Sequence, residues 1–270
     1  MKKFLVLLLI VFTGMGISCG RAEKTGNETQ VLLKTEFGNI KLKLYDDTPE
    51  HKKNFLKLVN EEFYNGSLFH RVIQNFMIQG GDPDSKNAEP GKRLGAGNVG
   101  YTIPAEIIPA HFHKKGALAA ARNNNPEKRS SGSQFYIVQG EVMTSGALDT
   151  MEMTINNRAR NNFYQDKFNA ASDELNEFRK NNDESGFNIR VAEIRAEADS
   201  LWASQPKMTF TPEQRQAYTT VGGYPSLDGE YTVFGEVVEG FDVLDKIAAV
   251  EVDQYNRPLK DIKMEMEVIK

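Results

Sequence analysis

Cysteine is nearly absent. Cys19 is the only one in 270 residues, so no intrachain disulfide can hold the fold together. The charge imbalance is small. A net charge of −4 gives no global basic field that would favour nucleic acid. Histidine is scarce as well. His111 and His113 stand close together, but no cysteine or third histidine is near, and zinc takes three or four protein ligands. No serine sits in a recognisable nucleophile motif with a histidine and an acid. Neither a metal nor a cofactor is expected, and no internal repeat is present. Gly95-Ala96-Gly97-Asn98-Val99-Gly100 spells a dinucleotide-type glycine pattern. No hydrophobic strand precedes it and Pro104 follows, so the strand–turn–helix context is missing and it reads as a loop. Asp82-Pro83-Asp84 reads as a turn.

What is present is an ordinary globular composition. Hydrophobic residues make up 40% and charged residues 26%, enough for a sizeable core. The first residues differ from the rest. Met1-Lys2-Lys3 is a basic head, and Phe4 to Phe12 is an unbroken apolar run. That is the order of a secretory signal, and the run is shorter than the about 20 residues of a membrane-crossing helix. Gly16-Ile17-Ser18-Cys19-Gly20 resembles a bacterial lipobox, with Gly16 where such boxes usually carry Leu. The expectation is a signal over 1–18, lipidation of Cys19, and a polar tether over 19–30.

Regular patterning begins at Val31. Val31–Lys34 and Ile40–Tyr45 read as a hairpin across Phe37-Gly38-Asn39. Thr48-Pro49 opens a helix carrying Phe55, Leu58 and Val59 on one stripe. Leu68–Ile73, Phe76–Gln79, Ala117–Ala121, Ser133–Val138 and Tyr231–Val238 read as strands, Phe241–Val250 as a helix, and Ile262–Ile269 as a closing strand. Many short strands with two flanking helices point to a mainly β fold, a closed antiparallel barrel.

The stretch from Gly140 to Gly222 breaks this rhythm and is too long for a structureless loop. Apolar residues recur at helical steps from Phe163 to Phe178 and from Val191 to Trp202. Asn181-Asn182-Asp183 and Ser185-Gly186 read as breaks between those helices, and Thr211-Pro212-Glu213 opens a third. Their stripes pack on each other or on the barrel, or form an arm that holds client proteins. The expected layout is barrel over 31–139, helical insertion over 140–221, and barrel again over 222–270.

Three segments carry the chemistry. They are Phe69-His70-Arg71-Val72-Ile73-Gln74-Asn75-Phe76-Met77-Ile78-Gln79-Gly80-Gly81-Asp82, Ser131-Gly132-Ser133-Gln134-Phe135-Tyr136-Ile137, and Leu227-Asp228-Gly229-Glu230-Tyr231-Thr232-Val233-Phe234-Gly235. In these segments the chain resembles the cyclophilin family, over Val31–Gln139 and Gly222–Lys270. The resemblance implies an eight-stranded barrel capped by two helices, and peptidyl-prolyl cis–trans isomerisation without a cofactor. Amide resonance sets a rotation barrier of about 18–20 kcal/mol. A catalyst for that rotation holds the proline ring in an apolar pocket and donates hydrogen bonds that favour the twisted amide.

The resemblance implies Arg71 and Gln79 as the catalytic pair. A guanidinium is a permanently charged fork of donors suited to the task. Phe76, Met77, Tyr136 and Leu227 are implied as the proline pocket, closed by Tyr231, where many members carry His. Ala121 and Arg122 match the segment whose backbone pairs with an extended substrate. By alternation Met77 and Gln79 share one strand face, and Gln134 and Tyr136 another, so that two inward faces line one groove. Phe76 falls off the Met77 face by the same rule. Ser226 stands where many members carry Trp, which removes a contact that supports cyclosporin. The expected partners are proline-containing polypeptides that are unfolded or folding, and a membrane reached through the lipid, with no nucleic acid. The expected place is the cell envelope, periplasm-facing, with the outer membrane favoured by Gly20 after the cysteine. The alternative is a binding lipoprotein that uses the same groove and insertion without turnover.

Overall fold

The structure is a computed structural model, described here over residues 29–269. The signal, the tether before residue 29 and Cys19 lie outside the described residues. Among the described residues no helix is long and apolar enough to cross a membrane.

The chain opens with β1 (Gln30–Thr35) and β2 (Gly38–Leu44), followed by α1 (Pro49–Asn60). Then come β3 (Arg71–Ile73), β4 (Met77–Gly80), β5 (Thr102–Ile103), β6 (Ala117–Ala120), β7 (Ser130–Ser131) and β8 (Phe135–Val138). Four helices follow, α2 (Ser145–Ala170), α3 (Ser172–Lys180), α4 (Glu184–Ala203) and α5 (Pro212–Thr220). The chain then returns through β9 (Val233–Glu239), α6 (Phe241–Ala248) and β10 (Glu265–Ile269). The main sheet has eight strands in the order β10-β1-β2-β9-β6-β8-β4-β3, and β5 and β7 form a separate pair.

All pairings in the main sheet are antiparallel. It is not the closed barrel that the strand pattern predicted. It is an open, curled half-barrel with β3 and β10 at its edges. The reason lies at the β3 edge. The outward amide of Val72 donates to the Asn256 carbonyl at 2.8 Å, so a loop covers the side on which β10 would have to pair. Contact across the seam is confined to the segment before β3. There Leu68 and Lys263 form an isolated bridge, and Phe69 donates to the Ile262 carbonyl at 3.0 Å.

Strand alternation splits the sheet into two apolar layers. Ile78, Leu118, Phe135, Ile137 and Phe234 point inward to the main core with Phe55 and Leu58 of α1 and Leu244 and Ile247 of α6. An edge-on aromatic cluster organises this layer, with Phe55 and Phe135 at 5.7 Å and Tyr64 and Phe135 at 5.5 Å between ring centres. The alternate residues Met77, Ala119, Tyr136 and Val233 form a second cluster on the opposite, outer face. The two inward faces expected to line the groove are therefore the outer face of the sheet.

The insertion leaves and rejoins the sheet at one neck. Glu141 and Gly223 form an isolated bridge, and Gly140 packs directly on the Gly223 backbone. The stretch from Phe163 to Phe178, read as one helix, spans two. The chain breaks at Ala171, and α2 already starts at Ser145, where the Thr144 hydroxyl caps it by accepting from Ala147 N–H at 3.1 Å. Ser185-Gly186 is not a break but the first turn of α4. The Asp183 carboxylate caps that turn by accepting from Gly186 N–H at 2.9 Å. A capping box between Thr211 and Gln214 opens α5. Leu175, Ile194 and Ala198 are buried where α4 packs on α2 and α3. Leu148, Phe210 and Tyr218 form a small core, with Phe112 of the sheet-side loop packed against it.

The neck requires a glycine. Gly140 has φ +63°, and a Cβ there would lie 2.4 Å from Gly223 Cα. Gly140→Ala is expected to destabilise the chain by about 1–3 kcal/mol. The shift is read as a lower urea midpoint at unchanged slope.

Candidate functional site

A groove of about 850 Å³ opens on the outer face of the sheet. Its lining includes Arg71, Phe76, Met77, Gln79, Ala121, Arg122, Tyr136, Leu227 and Tyr231. Of the implied groove residues, Gln134 alone is outside that lining, and it lines an adjoining smaller cavity with Gln79, Gly95 and Arg122.

Antiparallel register puts Arg71 of β3 directly opposite Gln79 of β4. The Arg71 guanidinium donates to Gln79 Oε1 at 3.2 Å. Gln79 Nε2 donates to Gln134 Oε1 at 3.0 Å, and Gln134 Nε2 donates to the Gly95 and Gly97 carbonyls at 3.1 and 2.8 Å. A relay of amides therefore ties the arginine to the glycine-rich loop. Asp82 holds the same loop from below. One of its carboxylate oxygens accepts from Asp84 N–H at 2.8 Å and the other from Gly95 N–H. A Cβ on Gly97 would fall 2.0 Å from Asp82 Oδ1. This close approach explains a glycine at position 97, without reference to a phosphate.

Arg71 is half-buried, with its guanidinium carbon 5.8 Å from the Phe76 ring centre. Burial draws its pKa below the ordinary value, and the nearby Tyr231 opposes that shift. It still carries its charge at any physiological pH. The charge is held in a partly dry setting, where a donated hydrogen bond is stronger than in water.

The apolar side of the groove is aromatic. Phe76 reaches it because Asn75, at φ +63°, turns the chain between β3 and β4 and releases the next residue from strand alternation. Tyr224 packs on Phe76 at 4.3 Å between ring centres. Tyr231 meets the edge of Tyr136 at 5.7 Å, and the Arg122 guanidinium lies 4.7 Å over the Tyr231 ring. Arg122 is held there by Glu230, with a 3.0 Å ion pair. Ala121 contributes its side chain only. Its N–H donates to the Gln134 carbonyl at 2.9 Å, and its own carbonyl accepts from Ser131 N–H at 2.8 Å.

Several groove residues gave no signal in the sequence. Gln254, Tyr255 and Asn256 close one end from the loop after α6. His113 and Asp228 lie behind the pocket. His113 Nδ1 is 2.9 Å from Asp228 Oδ1, and His113 Nε2 is 3.0 Å from Tyr136 Oη. His111, two residues earlier, turns away to Asp47 at 2.7 Å and stacks on Tyr45. The two histidines therefore do not converge. Among the described residues no group of three or more His, Cys, Asp or Glu is placed to hold a metal.

His70 borders the groove from the core side. It is buried, and among the described residues neither ring nitrogen has a hydrogen-bond partner. Burial pushes its pKa from 6.5 down to about 4, against the pull of Asp82. Between those values the unfolded chain binds a proton that the folded chain does not. The stability contributed by neutral His70 is therefore complete above pH 6.5 and is lost as the pH falls towards about 4. His70→Gln is expected to flatten this acid limb by on the order of 3 kcal/mol in denaturant titrations across that range. Buried His51, whose pKa burial also lowers, keeps a residual slope.

Comparison with known proteins bears on the same features. The profile of the family described as cyclophilin type peptidyl-prolyl cis-trans isomerase/CLD matches residues 30–268. A protein of Staphylococcus saprophyticus named for peptidyl-prolyl cis-trans isomerase is 29% identical over 245 residues, covering 90% of this chain and 92% of that protein. One of Staphylococcus aureus with the same name is 28% identical over 240 residues, covering 88% of this chain and 90% of the relative. Among solved structures, a cyclophilin type peptidyl-prolyl cis-trans isomerase of Cryptosporidium parvum superposes with a TM-score of 0.53 at 19% identity. That match covers 90% of this chain and 98% of the other. The same protein, solved in the presence of the dipeptide Ala-Pro, gives a TM-score of 0.51.

Proposed function

The chain belongs to the cyclophilin-type peptidyl-prolyl cis–trans isomerase family, and from that membership we propose how its groove accelerates X–Pro rotation and where it does so. The proline ring sits against Phe76, Met77, Tyr136, Leu227 and Tyr231. The carbonyl side rotates towards the open end of the groove. Arg71 donates to the twisted amide, whose nitrogen gains basicity as resonance is lost. Gln79 keeps the guanidinium aimed, and Arg122 supplies backbone beside the extended substrate. No bond is made or broken except the partial double bond that relaxes, so stabilisation specific to the twisted state carries the rate.

The single observation behind this reading is the Arg71–Gln79 hydrogen bond at the edge of an aromatic pocket. Holding an apolar ring does not require a charge to be half-buried beside it. The desolvated guanidinium therefore favours turnover over passive binding of peptides. The partners that fit are proline-containing segments of unfolded or folding polypeptides, in line with the Ala-Pro dipeptide used with the Cryptosporidium parvum protein.

The place of action we propose is the cell envelope, with the enzyme tethered through a lipid on Cys19, facing the periplasm, and with the outer membrane favoured. The support is the order of residues: a basic head, the apolar run Phe4 to Phe12, and the only cysteine just after it. Cys19→Ala is expected to move the protein from the membrane to the soluble fraction. Retention of the variant at the membrane would remove the lipid from the account.

The catalytic reading is tested by isomerisation rates on a short Ala-Pro peptide, with the wild-type chain and Arg71→Ala compared side by side. The expected result is clear acceleration by the wild type and a loss of tenfold or more in the variant, about 1.4 kcal/mol or more of transition-state stabilisation. A folded wild-type chain that binds the peptide without accelerating its rotation would instead make the groove a binding device.

A further inference from the structure

The pocket and the helical insertion are joined by a chain of polar groups, in which His113 and Tyr218 are buried and Asp228 is partly buried. Asp228 follows Leu227 of the pocket wall and is its centre. Its Oδ1 accepts from His113 N–H at 2.8 Å and lies 2.9 Å from His113 Nδ1. Its Oδ2 accepts from the Tyr218 hydroxyl of α5 at 2.6 Å. The other ring nitrogen, His113 Nε2, lies 3.0 Å from the Tyr136 hydroxyl.

A continuous run of hydrogen bonds therefore leads from α5 to the aromatic wall. The Tyr136 ring lies nearly parallel to the imidazole, at 13°. His113 also acts through its backbone. Its carbonyl accepts from Tyr224 N–H at 2.8 Å, and Tyr224 packs on Phe76. Three sides of the pocket, at Tyr136, Leu227 and Phe76, thus trace back to one histidine and one carboxylate. Tyr218 is fully buried and sits in the insertion's own small core with Leu148 and Phe210. Only a docked α5 brings its hydroxyl to Asp228.

We propose that Tyr218, Asp228 and His113 are positioning residues of the proline pocket, and that through them the helical insertion sets the ring of Tyr136. The insertion is on this account a supporting part of the active site, not an arm hung from it. The inference rests on the groove being the proline site.

The test is a double-mutant cycle in the full chain with Tyr218→Phe, Tyr136→Phe and the pair together. Each change removes one hydroxyl and keeps the ring, and circular dichroism checks the fold. The expected result for a short Ala-Pro peptide is a three- to tenfold loss of kcat/KM in each single variant, mainly through KM. The pair is expected to lose no more than the worse of the two. Turnover of Tyr218→Phe within twofold of wild type, or losses that multiply in the pair, would overturn the proposal. A structural role for Tyr218 alone lowers the melting temperature without that coupling. If the wild type binds the peptide but does not accelerate its rotation, the same cycle is read on peptide affinity. Failure of catalysis and failure of the relay are then told apart.

Discussion

The groove depends on strands whose two faces are both occupied. β6 and β8 are buried along their whole length. In β8, Phe135 and Ile137 belong to the main core, while Tyr136 and Val138 face the groove side. A side chain on such a strand cannot shift without disturbing a packed layer behind it. The pocket is therefore rigid before a substrate arrives. That suits a reaction whose catalyst must fit a twisted amide better than a planar one. The same constraint fixes the register of β3 and β4 and so sets Arg71 across from Gln79.

Placing a guanidinium here carries a desolvation penalty, and the surroundings offset it in parts. Gln79 accepts from it, and the Phe76 ring lies alongside it. Among the described residues no acidic side chain lines the groove beside Arg71. A carboxylate there would hold the donors in an ion pair and leave fewer for the amide. The neutral amide relay from Gln79 through Gln134 to the Gly95–Gly97 loop aims the arginine without competing for its charge. Arg122 shows the contrast. It is paired with Glu230 and stacked on Tyr231, and so acts as a fixed wall.

Much of this was legible because local residues dictate it. The run from Phe69 to Asp82 carries the arginine, its glutamine partner and two pocket residues within one hairpin, and the resemblance of that run to the family, rather than its spacing, singled them out. Alternation read Met77 with Gln79 correctly as one face. It could not say that this face is the outer one, since that depends on which layer the helices cover. It also put Phe76 off the Met77 face, because the second strand begins only at Met77 and the left-handed Asn75 frees Phe76 from its alternation. The open edge was hidden for a similar reason. What keeps β10 from pairing with β3 is a hydrogen bond from Val72 to Asn256, far apart in sequence. His113 and Asp228 were illegible as a pair. Histidine spacing pointed to a metal question, and only the folded chain brings residue 228 to residue 113.

The insertion is the part on which fold and function have to agree. It enters and leaves at adjacent glycines, Gly140 and Gly223, whose backbones touch. To the sheet it is therefore a short connection, and the entropy of closing so long a loop is met by structure inside it. An arm with no duty to the barrel would need nothing beyond this neck. The chain provides more. Phe112 packs into the insertion's core from the barrel side, and a buried tyrosine hydroxyl of α5 meets a carboxylate one residue from the pocket wall. A carboxylate drawn partly out of water is stabilised by the donors around it. Asp228 draws two of its three donor contacts from the barrel and the third from the insertion. Removing the helices would strip that third donor from a group placed to orient the pocket. The sheet and its insertion thus share one polar centre beside the groove, which is the basis for proposing that both set its shape.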